Sequence, residues 1–318
     1  MRARPQLAIL AVGIVCLSAP LAGGEDPVKE ALRQIAARSA AIDSVRLHAK
    51  GVLEISRNLV DGSPFASPQV GAVEYSYAAA GRKYRIETST TGNLPIAPDY
   101  SVAYDGRQFE LLSVRDRMLS VRQEDSASLP VALPNPFLLY WDFLNVTDDG
   151  CDGCMPRLAD LRAKGGKLAA VAAARLPLPA TMSQPGVAMV VELPGAATRG
   201  TRYVNHLLLG RNGSSWRPLG NESWTPDGRL VSRVLYRDFI AVAAGAQGLA
   251  LDFPSHITVD EFDVERGGEK SLHLEYFVDS VEINRELRDG DFSLDWSKAD
   301  KVWDSDSRMF LKGVARQR

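Results

Sequence analysis

Long apolar runs are missing from most of this 318-residue chain. The most apolar internal stretch, Phe239 to Phe253, is broken by Gly245, Gln247 and Gly248 and carries Asp252. It excludes itself as a membrane helix, which needs about 20 apolar residues in succession. Basic excess is missing too: 37 Lys and Arg stand against 39 Asp and Glu. A nucleic-acid partner would want a basic stripe, so none is expected. Catalytic signatures are also lacking. There is no Gly-x-Ser-x-Gly elbow and no His-Glu-x-x-His. Gly267-Gly268-Glu269-Lys270-Ser271 ends like a phosphate loop but lacks the upstream glycine. The chain is therefore expected to be no enzyme and to need no cofactor. Its four histidines, His48, His206, His256 and His273, are scattered, so no shared metal site is expected. Asp260 and Glu261 with Asp263 read as a solvated acidic turn.

Cysteine is scarce, and its positions are informative. Cys16 lies in an N-terminal stretch with Arg2 and Arg4, an apolar run from Leu7 to Leu17, and small residues up to Gly24. That is the order of an export signal, with cleavage expected after Gly24. Val15 before Cys16 is a poor lipid-attachment context, so Cys16 is expected to leave with the signal. The expected units are 1–24 as signal and 25–318 as one periplasmic or secreted domain with no membrane span. Cys151 and Cys154 remain, as Cys151-Asp152-Gly153-Cys154. In an oxidising compartment a short-loop disulfide is the leading expectation, with redox work and metal binding as alternatives.

What is present is period. Val28, Leu32, Ile35, Ala36 and Ile42 recur at helical spacing. From residue 47 the period becomes two: Leu47, Ala49, Gly51, Leu53 and Ile55, then Val73, Tyr75 and Tyr77, then Tyr84 and Ile86. Tyr100, Val102 and Tyr104 continue it, followed by Phe109, Leu111, Leu119 and Val121. Such alternation predicts antiparallel strands with one apolar and one polar face. Ala80-Gly81-Arg82 and Asp105-Gly106 supply turns. Residues 129–185 are rich in proline and aromatics and read as an insertion, with Pro136 opening a short helix capped by Asn135 and a second short helix over Pro156 to Ala163. Strands are expected again over 187–193, 202–209, 230–239, 257–262, 272–278 and 281–287, with His256 in a loop. Asn-x-Ser/Thr sequons at Asn145, Asn212 and Asn221 read as chance occurrences. The apolar flanks fit either a packed core or an apolar cavity.

The order of pieces resembles the superfamily of periplasmic lipoprotein carriers, the LolA/LolB type. The resemblance is carried by Val28-Lys29-Glu30-Ala31-Leu32, by the hairpin Val102-Ala103-Tyr104-Asp105-Gly106-Arg107-Gln108-Phe109-Glu110-Leu111, by Leu235-Tyr236-Arg237-Asp238-Phe239 and by Asp289-Gly290-Asp291-Phe292. It implies a mainly β, α+β fold: a curved antiparallel sheet, an unclosed barrel, with helices on its concave face. It implies an apolar cavity at Val73, Tyr75, Tyr77, Tyr84, Ile86, Tyr104, Phe109 and Leu111. It implies a lid made by the N-terminal helix and by Phe137, Tyr140 and Trp141. The implied partners are lipid or the acyl chains of a lipoprotein, or an envelope protein if the same sheet serves regulation. The carriers place an arginine near the cavity, and Arg46, Arg82 and Arg85 stand in that part of the chain.

Overall fold

The computed structural model describes residues 27–57, 63–92, 94, 99–123, 133–141, 169–171, 186–198, 201–244 and 249–311. The expected signal segment with Cys16, the Cys151–Cys154 pair, the sequon at Asn145, the helix over Pro156 to Ala163 and most of the insertion at 129–185 lie outside these residues.

One helix comes first, α1 (Pro27–Ala40), then β1 (Ser44–Arg57), β2 (Pro64–Ala80), β3 (Lys83–Gly92), β4 (Tyr100–Tyr104), β5 (Phe109–Ser113) and β6 (Met118–Arg122). A six-residue helix α2 (Pro136–Trp141) and the short β7 (Ala169–Val171) follow. Then come β8 (Val187–Thr198), β9 (Thr201–Asn212), β10 (Ser215–Trp224), β11 (Leu230–Ala244), β12 (Leu249–Asp263) and β13 (Glu269–Ile283). Two short strands, β14 (Lys301–Asp304) and β15 (Met309–Leu311), end the described chain. All fifteen strands form a single sheet in the order β15-β14-β6-β5-β4-β3-β2-β1-β13-β12-β11-β10-β9-β8-β7. Its two ends are different strands that do not pair with each other, so the sheet is unclosed.

The expected turns are where they were placed. Gly81 and Gly106 adopt φ of 57° and 95°, which suits a residue without a Cβ. Asn135 caps α2, its Oδ1 accepting the Phe137 amide at 2.9 Å.

Three details differ from the sequence reading. Strand β10 was not expected, because Pro218 and Gly220 interrupt its pattern; the structure absorbs them in a register shift between β9 and β10. The two strands expected over 272–287 are one, β13, with a bulge opposite His48 and Ala49 that sets Asp279 beside His48 and Lys50. His256 lies in β12, not in a loop.

The returning C-terminal segment adds a clasp. After β13 the chain crosses to β4–β6, where Leu294, Ala299 and Val302 bury against Ala103, Leu112, Leu119 and Val121. Glu110 holds it: its carboxylate accepts the Leu294 amide at 2.8 Å and the Trp296 indole N–H at 3.0 Å. Strand β14 then pairs parallel with β6.

Candidate functional site

Strand alternation sorts the side chains of β1 to β5 into two faces. On one face the register sets Tyr77 beside Leu47 and Ile86, Ile86 beside Val102, and Tyr84 beside Tyr104, which lies opposite Phe109. Val73, Tyr75 and Leu111 share that face. All eight residues expected to line a cavity therefore stand on one side of one sheet. The same face continues through β13, β12 and β11 with Leu274, Tyr276, Ile257, Phe253, Val234 and Tyr236, all buried. Leu119 and Val121 do not join it. They lie on the opposite face under the C-terminal clasp.

Part of this apolar face is covered by the protein itself. Residues 133–141 lie over it as a plug. Phe137 sits between Tyr77, at 5.8 Å between ring centroids, and Phe253, at 5.9 Å. Tyr140 meets Tyr236 edge-on at 5.1 Å and Phe253 at 5.4 Å. Both rings are buried. Of the expected lid, Phe137 and Tyr140 thus touch the apolar face, while the Trp141 side chain lies outside the described residues. Helix α1 covers a different part of the sheet. Its Val28, Ala31, Leu32 and Ile35 pack against Val191, Leu207, Leu209 and Trp216 of β8–β10. Gln34 accepts the Trp216 amide at 3.0 Å, and Arg38 donates to the Trp216 carbonyl at 2.8 Å.

Among the phenols of this face, three stand together near the start of the plug. Tyr276 donates its hydroxyl to the Pro134 carbonyl at 3.0 Å, a latch on the plug. Tyr75 meets the Tyr276 ring edge-on at 5.8 Å. That approach is open because β1 carries Ala49 opposite Tyr75 and Gly51 opposite Tyr276. Tyr100 shares a row with Thr88 and Tyr75, and points its buried hydroxyl toward the Leu133 backbone without reaching hydrogen-bond geometry. Burial pushes Tyr100 up to about 12 and Tyr75 and Tyr276 well above the ordinary phenol. All three remain neutral donors at physiological pH.

The arginines of the resemblance do not reach this face. Arg46 and Arg85 line a depression of about 310 Å³ on the opposite side, with His48, Ser76, Glu87 and Asp291. Arg46 pairs with Asp291 at 2.8 Å and Arg85 with Glu87 at 2.5 Å. Arg82 is exposed in the β2–β3 turn.

One feature of the opposite face escaped the sequence. Directly opposed residues form a row across seven strands: Glu192, His206, Glu222, Arg233, Asp260, His273 and Glu54. Signs alternate wherever the histidines are charged. Asp260 is 2% exposed and accepts from Arg233 at 2.9 Å, His273 at 2.7 Å and Lys270 at 2.7 Å. It is no solvated turn. Burial pushes its pKa up, but those three donors together outweigh burial and hold the carboxyl below its ordinary value. Glu222 is fully buried. Its Oε2 accepts the Trp224 indole N–H at 3.2 Å, while Oε1 has no hydrogen-bond partner. Burial pushes Glu222 up to about 7 against the indole and Arg233, which both lower it. Burial lowers His206, against the opposing pull of Glu192. Several members sit beside apolar strand neighbours, as His206 does before Leu207-Leu208-Leu209 and Glu54 does between Leu53 and Ile55.

Among the described residues, no three His, Cys, Asp or Glu converge on a metal position, and no helix is long and apolar enough to cross a membrane.

No protein-family model matches this chain, and no curated protein matches it. Solved structures do. The chain is similar to a LolA superfamily protein from Nitrosomonas europaea, with 14% identity, 84% of this chain and 98% of that chain covered, and a TM-score of 0.39. It is similar to a DUF1329 family protein from Desulfovibrio piger, with 12% identity, 85% and 98% covered, and a TM-score of 0.39. A domain named for outer-membrane lipoprotein sorting, from Vibrio parahaemolyticus, matches at 8% identity over 83% and 97% of the two chains, with a TM-score of 0.33. Identities this low, with TM-scores below 0.5, carry no ligand, partner or activity over to this chain.

Proposed function

We propose that this is an exported, non-enzymatic binding protein that shelters a lipid or the acyl chain of a client against the apolar face, with residues 133–141 as a displaceable plug. In this reading the apolar face is the concave side of the sheet, the chain works outside the cytosol after loss of residues 1–24, and Cys151 and Cys154 form a structural disulfide. The observation that supports it is the plug. A face of aromatic and aliphatic residues spanning β5 to β11 is covered there by a six-residue helix, and the contacts across that boundary are mostly rings. Rings can be exchanged for methylenes. Truncating two buried aromatic side chains costs about 6–10 kcal/mol. Sheltering about 8–12 methylenes, at about 0.8 kcal/mol each, offsets that. An ordinary acyl chain is long enough to displace the plug, and a short one is not.

The test has two parts. Full-length protein purified from its host is examined by native mass spectrometry for bound lipid. An apolar fluorescent probe is then titrated into wild type and into Phe137→Ala/Tyr140→Ala. Expected are a lipid adduct and tighter probe binding by the variant. No adduct, together with no probe binding by either protein, sinks the reading.

A second reading, an envelope protein that binds another protein, is favoured by the cover over the apolar face and by Val52, Val70 and Phe277. These stand 40%, 51% and 46% exposed on the opposite side of β1, β2 and β13. A stoichiometric protein partner without lipid in the same mass spectra would support it.

A further inference from the structure

We infer that the phenol cluster of Tyr276, Tyr75 and Tyr100 is the polar anchor of the binding face, and that it selects ligands carrying an uncharged carbonyl oxygen, as in an ester, amide or ketone, within an otherwise apolar body. This rests on the reading of the apolar face as the ligand site. Its own support is what the plug presents. The plug offers the wall rings and the Pro134 backbone carbonyl, which Tyr276 grips. A ligand that displaces the plug leaves Tyr276 without that acceptor. A buried hydroxyl stripped of its partner is costly, so a ligand that restores a carbonyl there is preferred to one that cannot.

Charge is excluded on the same ground. The phenols are deeply buried, and the polar residue in the Tyr100–Tyr75 row is Thr88, an uncharged hydroxyl. Arg46 and Arg85 lie on the far side of the sheet. A carboxylate placed among the phenols would therefore lose its hydration with no cation to replace it. The small residues Ala49 and Gly51 complete the device. They let the Tyr75 and Tyr276 rings converge behind one point of the wall instead of spreading along it.

The test separates this inference from the reading beneath it. A fluorescent apolar probe on the full chain is displaced by a long-chain methyl ketone and by the alkane of the same length, in wild type and in Tyr276→Phe. Wild type is expected to prefer the ketone by roughly five- to tenfold, the worth of one buried hydrogen bond. Tyr276→Phe is expected to bring the two ligands to equal affinity. Loss of the plug latch in that variant tightens both alike, so the ratio reads only the ligand's own contact. Equal affinities in wild type overturn the carbonyl anchor and leave apolar binding standing. An undiminished ratio in Tyr276→Phe overturns the assignment to Tyr276. Failure of both ligands to displace the probe overturns the binding reading itself.

Discussion

Glu222→Gln is expected to stabilise this protein at neutral and alkaline pH and to leave it nearly unchanged in acid. Glu222 is fully buried on β10, with one carboxylate oxygen on the Trp224 indole and the other without a partner. Its cross-strand neighbour Arg233 is already committed to Asp260 at 2.9 Å. Burial therefore wins, and the folded-state pKa rises from 4.5 to about 7. The sign follows from linkage. A carboxyl with a raised folded-state value binds its proton more tightly in the native state than in the unfolded one. Its contribution is intact below pH 4.5 and is lost as pH climbs through about 7. That rise, at about 1.4 kcal/mol for each tenfold gain in proton affinity, amounts to about 3–4 kcal/mol. Glutamine keeps an acceptor for the indole and carries no charge to bury. Urea midpoints for wild type and variant between pH 4 and pH 8.5 supply the measurement. His206, which burial depresses, destabilises both proteins as pH falls through its ordinary 6.5, opposite in sense to the alkaline loss assigned to Glu222. A difference that is flat across this range, or one in which wild type gains on the variant toward alkaline pH, refutes the assignment of Glu222 as a buried, uncompensated carboxyl.

Asp260→Asn is expected to cost about 3 kcal/mol at pH 7 by leaving Arg233 buried without its anion. Because Asp260 is held below its ordinary 3.8, that loss shrinks as pH falls through this value, and parallel urea titrations at pH 3 and pH 7 check it. Glu110→Ala is expected to lose about 3 kcal/mol by removing two charge-assisted hydrogen bonds to Leu294 and Trp296. Hydrogen exchange should then quicken in residues 289–304 before it quickens in β1 or β13; uniform exchange would deny the clasp. Gly51→Val is expected to destabilise by about 1–3 kcal/mol, since a Cβ there meets the Glu275 carbonyl and the Tyr276 ring, and thermal melting reads this directly.

Much of the fold was legible because local and global signals agreed. Tyr75 and Tyr77 alternate with Glu74 and Ser76, Gly81 turns the hairpin, and Tyr84 and Ile86 resume the alternation on the partner strand. The same agreement gave α2, through Asn135 and Pro136. Strand β10 was hidden because Pro218 and Gly220 are strand breakers by composition, although Asn212-Gly213 and Asp227-Gly228 bracket it with turns. Leu119 and Val121 alternate like the residues before them yet lie on the opposite face, which alternation leaves open. The strands around them carry apolar residues on both sides, Leu111 on one and Leu112 on the other, because the C-terminal segment returns to cover the second face. Period two names two sets of residues but cannot say that both are covered. The apolar wall was legible as a set of residues. The plug's contacts and the charged row were not, since His206, Glu222, Arg233 and Asp260 meet only through strand register.

That register is where the charged row does its work. A slip by one residue moves an oily face into water and is excluded by the alternation itself. A slip by two keeps every face in place, and the apolar wall resists it only weakly, because valine, leucine and tyrosine are near substitutes there. The row is less forgiving. Sliding β11 two residues past β10 would replace Arg233 opposite Glu222 with Leu235 or Val231, leaving buried charges unpaired. The row therefore specifies which of several oily pairings is native, at some expense in stability. The triple change Glu222→Leu, Arg233→Met and Asp260→Leu is expected to keep the global stability within a few kcal/mol of wild type, since a buried ion group exchanged for apolar residues is often neutral or better. What it should lose is uniqueness. Amide correlation spectra of β9–β12 are expected to show doubled or broadened signals from competing registers, whereas one sharp set of native shifts would mean that the wall fixes the register without the row.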